Sequence, residues 1–259
     1  MATTRTLWIV AVLITLVLSV WQRVSGPTYP IYGHAALAGH AFGYKLERTH
    51  AGAGDHHVVL RPGVPGAIGL LTWREHEPPS AWTQQPMSPE GDALVGALPH
   101  HAAGQKVDYR VTLTSGASTV TLPSAPQATL RFRSDVPAWV LIPHIVCMLG
   151  ALLLAVRVAL EAFRPQPNLK LLTLRTLSAT FLGGFPLGCA VSAYAFGRPW
   201  GGFPLGNDAT DDKTLLAFLG WVVASAAVFR ARNPRPWVIG AAIVMFLAYL
   251  VPHSFKLPG

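Results

Sequence analysis

The chain has 259 residues, 51% of them apolar and only 12% charged, with a formal net charge of +8. A typical soluble domain is about 25% charged, which excludes an ordinary soluble fold for the whole chain. Its two cysteines, Cys147 and Cys189, both fall in apolar runs, which excludes a disulfide scaffold.

Five apolar runs organise the chain: Leu7–Trp21, Val136–Val156, Leu171–Phe196, Thr214–Phe229 and Trp237–Val251. About 20 apolar residues cross a hydrocarbon core about 30 Å thick. The second and third runs meet that length, and the fourth and fifth lie near its lower limit. The first run, with Arg5 before it, also fits a signal peptide. Trp21-Gln22-Arg23 offers no small-residue cleavage site, so an uncleaved anchor over 1–26 is expected.

The stretch 27–135 reads as short strands between turn residues. The expected strands are Phe42–Thr49, His57–Arg61, Ala67–Arg74, Ala93–Leu98, Lys106–Thr114, Ser118–Leu122 and Thr129–Arg133. In Lys106–Thr114 the residues Val107, Tyr109, Val111 and Leu113 share one face. This spacing of strands predicts a β-sandwich. Residues 136–259 then form a four-helix transmembrane domain. The fold class expected is an α+β membrane protein with about five transmembrane helices and an exported all-β sandwich inserted between helices 1 and 2.

The positive charge sits at the ends of the apolar runs. Arg5 precedes the first; Arg157, Arg164 and Lys170 separate the second and third; Arg230, Arg232 and Arg235 separate the fourth and fifth. Short cytoplasmic loops carry excess Lys and Arg. The basic balance therefore reads as membrane topology and not as nucleic-acid binding. Five alternating spans place the N-terminus in the cytoplasm, with the β domain and the C-terminus outside.

Under that topology the 197–213 loop, His144 and His253 meet at the outer face. His144, His253, Asp208 and Asp211 are candidate metal ligands, because imidazole and carboxylate together suit several divalent metals. Met148 lies one turn from His144 and adds a soft thioether suited to copper. Copper, zinc or a haem b held by two histidines are the candidate cofactors, with no cofactor as the default. The competing reading is structural: Asp208 caps the fourth membrane helix, Asp211 and Asp212 sit in its first turn, and His144 bonds a neighbouring helix. Pro199, Gly201, Gly202, Pro204 and Gly206 turn the loop sharply, and Trp200 and Phe203 suit the interfacial aromatic belt. Trp200, Phe203 and Asp212 are thus candidate interaction residues, on a loop expected to fold onto the membrane surface beneath the sandwich. Arg157 and Glu161, spaced i and i+4, are expected to pair. The pairs His56-His57 and His100-His101 border turns, and neighbouring strand residues point to opposite faces, so neither pair chelates as a unit.

Two resemblances add to this reading. Leu98-Pro99 through Gly104 to Tyr109 resembles the turn and tyrosine corner of immunoglobulin or fibronectin type III domains. That resemblance implies a Tyr109 hydroxyl bonded back across the turn. The FPxGxDxTDxK pattern of Phe203–Lys213, the His144 segment and the terminal Pro252-His253-Ser254 are together similar to a group of uncharacterised bacterial five-span inner-membrane proteins. In that group an exported β domain follows the first span. The resemblance implies fold and membrane, and no activity.

No Walker loop, dinucleotide fingerprint, CxxCH, CxxC or G-x-S-x-G motif occurs. The first functional expectation is a non-catalytic accessory or assembly subunit of a larger electron-transfer or energy-transducing membrane complex. Its sandwich would dock an exported partner, and its partners would be the bilayer and other subunits. The second is a metal- or haem-binding redox protein using the His/Asp cluster. The third is a membrane hydrolase or transferase with the Asp cluster and a His base.

Overall fold

A computed structural model describes residues 3–124 and 126–252. The fold is α+β and divides into two compact units, 28–135 and the flanking helical segments.

The unit 28–135 is built of β1 Ile31–Leu37, β2 His40–Leu46, β3 Thr49–Ala51, β4 His56–Leu60, β5 Ile68–Glu75, β6 Thr83–Pro86, β7 Ser88–Glu90, β8 Ala93–Leu98, β9 Lys106–Ser115, β10 Ser118–Leu122 and β11 Ala128–Arg133. They form a β1–β2 hairpin, a six-stranded sheet in the order β3-β11-β9-β5-β6 with β10 also on β9, and a three-stranded sheet β4-β8-β7. The long strand β9 organises the unit. Its alternating Val107, Tyr109, Val111 and Leu113 are all fully buried. One edge of β9 pairs β5 from Ile68↔Thr114 to Glu75↔Val107. The other edge is shared, β11 taking its first half and β10 its second. Leu71, Leu130, Phe132, Val58, Leu60 and Leu98 join the β9 stripe in one core, to which the hairpin adds Leu37, Phe42 and Leu46. The result is sandwich-like.

The expected strands correspond to β2, β4, β5, β8, β9, β10 and β11, with two differences. Phe42–Thr49 is not one strand: it breaks after Leu46, and β3 resumes at Thr49 in parallel pairing with β11. Four further strands, β1, β3, β6 and β7, are present. β6 and β7 are almost wholly solvent-facing, so no apolar alternation announces them. β1 contains Gly33, opposite Tyr44 of β2. A Cβ at Gly33 would collide with the Tyr44 ring, which lies over the glycine.

The helical unit contains α1 Thr4–Ser25, α2 Ala138–Glu161, α3 Leu169–Phe196, α4 Ala209–Arg230 and α5 Arg235–Leu250. The first four are long and apolar enough to cross a membrane, and α5 is a shorter apolar helix. Small residues bring the helices together: Ala151, Ala155, Ala217, Ala224 and Ala241 pack around the fully buried Trp221. Large apolar side chains such as Leu13, Leu16, Ile142, Val146, Leu219 and Ile243 point outward. That inversion is expected where hydrocarbon is the solvent and close helix contact requires small side chains.

The helix ends assemble in two groups. At one end Arg164 Nη1 donates to Thr4 Oγ1 at 3.3 Å, and Arg235 Nη2 donates to the carbonyls of Arg164 (3.0 Å) and Pro165 (2.9 Å). These bonds gather the start of α1, the α2–α3 connection and the start of α5. At the other end Trp21 Nε1 donates to Leu250 O at 3.2 Å, and Lys213 Nζ bonds Val251 O. These gather the end of α1, the start of α4 and the end of α5. Successive helices therefore run up and down.

Candidate functional site

The α3–α4 connection is short on regular structure and dense in hydrogen bonds. α3 ends in a left-handed Gly197, φ +73°, a conformation glycine adopts without a Cβ penalty. From there the chain folds back on itself. Asp208 N donates to Gly201 O, and the amides of Leu205 and Gly206 both donate to Gly202 O, each at 2.9 Å. Gly206 is required by this closeness, since a Cβ there would run into the Gly201 carbonyl.

Three carboxylates work at this junction, two on the loop backbone and one on the helix end. Asp208 Oδ1 accepts from Thr210 N at 2.9 Å and caps α4. Asp211 Oδ2 accepts from Gly201 N, and Asp212 Oδ1 from Phe203 N, each at 2.6 Å. Asp211 and Asp212 also lie in the first turn of α4, where negative charge is favourable toward the helix dipole. Gly201 and Gly202 are buried, and a Cβ at Gly202 would meet Asp212 Oδ1 at 2.6 Å. Trp200 fastens the loop to the helices: its ring stacks on Phe185 at 5.7 Å and 12°, within a cluster with Phe181 and Phe218. Its Nε1 donates to Phe203 O at 3.0 Å. The large apolar side chains left outside are Phe203 and Leu205, 69% and 76% exposed.

His144 is tied to an irregularity in α3. Pro186 lacks an N–H, and around it the helix widens to a π turn at Gly183–Leu187. His144 Nδ1 lies 2.9 Å from Gly183 O. A carbonyl only accepts, so Nδ1 carries the proton and Nε2 keeps its lone pair. Gly183 also brings α3 against α2: a Cβ there would meet Met148 Sδ at 2.8 Å and Cys147 Cβ at 3.0 Å. Both cysteines are free.

Among the described residues no group of three or more His, Cys, Asp or Glu is placed to hold a metal ion. Asp208, Asp211 and Asp212 are engaged with backbone amides and His144 with a carbonyl. The further proposed ligand, His253, lies outside the described residues, as does the Pro252-His253-Ser254 motif beyond its proline.

At the opposite end of the helices, Arg157 Nη1 meets Glu161 Oε2 at 2.8 Å, both residues 3% exposed. Glu161 also lies 3.5 Å from Arg164 Nη1 and accepts from Asn168 N at 3.2 Å. Trp8 covers the Arg157 guanidinium, 5.4 Å from ring centre. The pair ties the end of α2 to the start of α3.

In the β unit, Tyr109 corrects the expected tyrosine corner. Its hydroxyl donates to Glu47 O at 2.6 Å, between β2 and β3, and not back across its own turn. Burial pushes the Tyr109 hydroxyl well above the usual tyrosine range. The His56-His57 pair splits across faces, with His56 buried and His57 exposed, whereas His100 and His101 follow β8 outside any strand and both rings pack on Phe132, at 5.7 and 5.3 Å. His56 instead meets His50 of β3, Nδ1 to Nδ1 at 3.3 Å, and His50 Nε2 bonds Gly54 O at 2.9 Å. Since Gly54 O needs a donor, the neutral His50 offers Nδ1 as acceptor and His56 Nδ1 donates to it. Burial, and secondarily His50, pushes His56 down to about 4.

A polar centre escaped the strand pattern. Asp108, on the face of β9 away from the Tyr109 stripe, is 1% exposed. Its carboxylate faces His76 Nδ1 (2.9 Å), Gln127 Nε2 (2.9 Å), Thr129 Oγ1 (2.7 Å) and Arg74 Nε (3.6 Å). Beside it the Trp82 ring lies against the guanidinium groups of Arg74 and Arg110, at 4.6 and 4.9 Å. An acid amid a basic and hydroxyl-bearing face was the available signal, and the alternation of β9 masked it as solvent-facing.

The fold and the loop thus define a class, a membrane-type helix assembly joined to a sandwich-like β unit. No family model, curated protein or solved structure matches the chain.

Proposed function

We propose that this protein is an integral-membrane accessory or assembly subunit of a larger complex. In this reading all five helices span the bilayer, the N-terminus is cytoplasmic, and the β unit is exported as a docking module of immunoglobulin-like type. The basic residues at the α1, α2–α3 and α4–α5 ends support that orientation. The observation that carries the reading is the stapled loop. Asp211, Asp212 and Trp200 are spent on holding its backbone, and Phe203 and Leu205 stand outward on it. A preorganised apolar contact loses little entropy on association, which is what a permanent subunit contact requires.

Gentle detergent extraction at native expression, followed by native electrophoresis, tests it. The wild type runs with partners, and Phe203→Ser with Leu205→Ser runs alone while its thermal unfolding is unchanged. A wild type that runs as a lone monomer sinks the reading.

A second reading, a redox protein binding copper or haem b, rests on one feature. His144 donates Nδ1–H to a carbonyl and keeps Nε2 free, the arrangement metal-bound imidazoles use, with Met148 beside the same glycine. Metal analysis and a visible spectrum of the purified protein decide it. Absence of bound metal and of a Soret band eliminates it.

A further inference from the structure

At the Arg157–Glu161 end of the helices lies an open cleft of about 490 Å³ between the start of α3, the end of α4 and the start of α5. Lys170, Arg232 and Arg235 line it, with Asn168, Asn233 and the apolar Val228. Among the described residues no carboxylate lines it. Glu161, which bonds the amide of the lining Asn168, is buried against Arg157 and Arg164. Two helices begin at this cleft, α3 at Leu169 and α5 at Arg235, and neither has an acid in its first turn. Their amide ends add partial positive charge to three cations. The C-terminal carbonyls of α4 reach the same end but are answered by Arg230 in its last turn.

The surroundings match the headgroup layer of a bilayer. Lys170 Nζ lies 5.4 Å from the ring centre of Phe229, itself 60% exposed on the outer surface of α4. Trp237 is exposed on the first turn of α5. Aromatic and basic side chains together mark the interface depth. Basic pockets between membrane helices on the cytoplasmic side take anionic headgroups.

From this cleft we infer a specific site for the phosphate of an anionic phospholipid. The phosphodiester sits among Lys170, Arg232 and the starts of α3 and α5, and the acyl chains run along Val228 and Phe229. Arg235 is already committed to the Arg164 and Pro165 carbonyls and frames the site. The inference rests on the helices crossing a bilayer and is independent of the docking role.

Native mass spectrometry of the detergent-purified full chain tests it, with phosphatidylglycerol and phosphatidylcholine of equal acyl chains as probes. The wild type retains phosphatidylglycerol preferentially. Lys170→Gln with Arg232→Gln, both exposed positions, lowers that preference about thirtyfold, taking each interfacial cation at its usual contribution. Arg23→Gln with Arg198→Gln, at the other helix ends, preserves it. Inorganic phosphate that leaves the lipid bound identifies the headgroup as the ligand. Phosphate that displaces it identifies the same site as one for soluble phosphate esters. Equal retention of both lipids by the wild type, or equal loss in the two double variants, overturns the site. Unchanged thermal unfolding of the Lys170/Arg232 variant guards against reading misfolding as loss.

Discussion

The two units solve the same packing problem against opposite surroundings. In 28–135 the core is large and apolar, and among its described residues only Tyr32, Val59 and Ile68 are large hydrophobics left exposed. In the helical unit alanines share the inside with Trp221, Leu152 and Met245, and many large side chains face out. Buried polar groups differ in the same sense. In the β unit Asp108 gathers several neutral or basic donors around one carboxylate. In the helices Arg157 faces Glu161, His144 meets the Gly183 carbonyl, and Thr176 and Thr180 donate to carbonyls of their own helix, while the buried Thr173 and Ser225 hydroxyls have no hydrogen-bond partner among the described residues. Burial of apolar surface organises the first unit. Close backbone approach, with a few specific polar contacts between helices, organises the second.

The largest effect expected from breaking this contrast is at the Arg157–Glu161 pair. Glu161→Gln leaves a buried guanidinium without its counter-charge and costs about 3–5 kcal/mol. Thermal unfolding in detergent should show the loss in the helical unit. Replacing both, Arg157→Met with Glu161→Leu, should recover most of it, since an apolar pair of similar volume is often as stable. A double variant as damaged as the single one would mean that the pair does more than neutralise itself.

Next comes the surface. Leu13 lies mid-way along α1 and is 57% exposed; Val59 on β4 is 40% exposed. A lysine at the centre of a membrane span costs about 2.5–3.5 kcal/mol in insertion. A lysine on a water-facing strand usually changes stability by about 0.5 kcal/mol or less. Leu13→Lys should therefore reduce the membrane-retained fraction after an alkaline carbonate wash, and Val59→Lys should not. Equal behaviour would erase the distinction between the two exteriors.

Sequence reasoning reached these units unevenly, and for physical reasons. Length and apolarity mark α1 through α4 directly, and period-two alternation marks β9, because each signal is local. β6 and β7 carry no such signal, being held by edge pairing with exposed side chains on both faces. The break after Leu46 is set by β3 pairing with β11, which lies far along the chain. At the loop, the capping role of Asp208 is visible from its place before an apolar helix. The tie of Asp211 to Gly201 and of Asp212 to Phe203 depends on how the glycines fold back. The partner of His144 depends on a π turn at Pro186, one helix away. Motif spacing suggested ligands where the fold uses the same groups as staples.

A smaller effect, confined to the β unit, is its response to acid. Burial first and His50 second hold His56 at about 4, against an ordinary value of 6.5. Between those values the unfolded chain binds a proton that the folded unit refuses, so stability falls as pH falls. The contribution is complete above about pH 6.5, is lost progressively below it, and levels off below about pH 4. From pH 7 to pH 5 it amounts to about 2 kcal/mol. Hydrogen exchange of the intact protein, read peptide by peptide, should show β3 and β4 losing protection over this range. His56→Gln should flatten the dependence.

The smallest effect distinguishes a hydrogen bond from the ring that bears it. Tyr109 is fully buried in the centre of β9, and its hydroxyl reaches Glu47 O where the chain passes from β2 to β3. Tyr109→Phe keeps the ring and its contacts with the core and removes only the donor. The net contribution of such a bond is about 1 kcal/mol. The loss should appear as faster exchange in 46–51 first, because the bond fixes that crossing, with little change in the β5–β9 ladder. The helical unit should be indifferent. If protection fell uniformly across β5, β9 and β11 instead, the hydroxyl would be holding the sheet core itself, and the apolar stripe of β9 would not suffice to organise the unit.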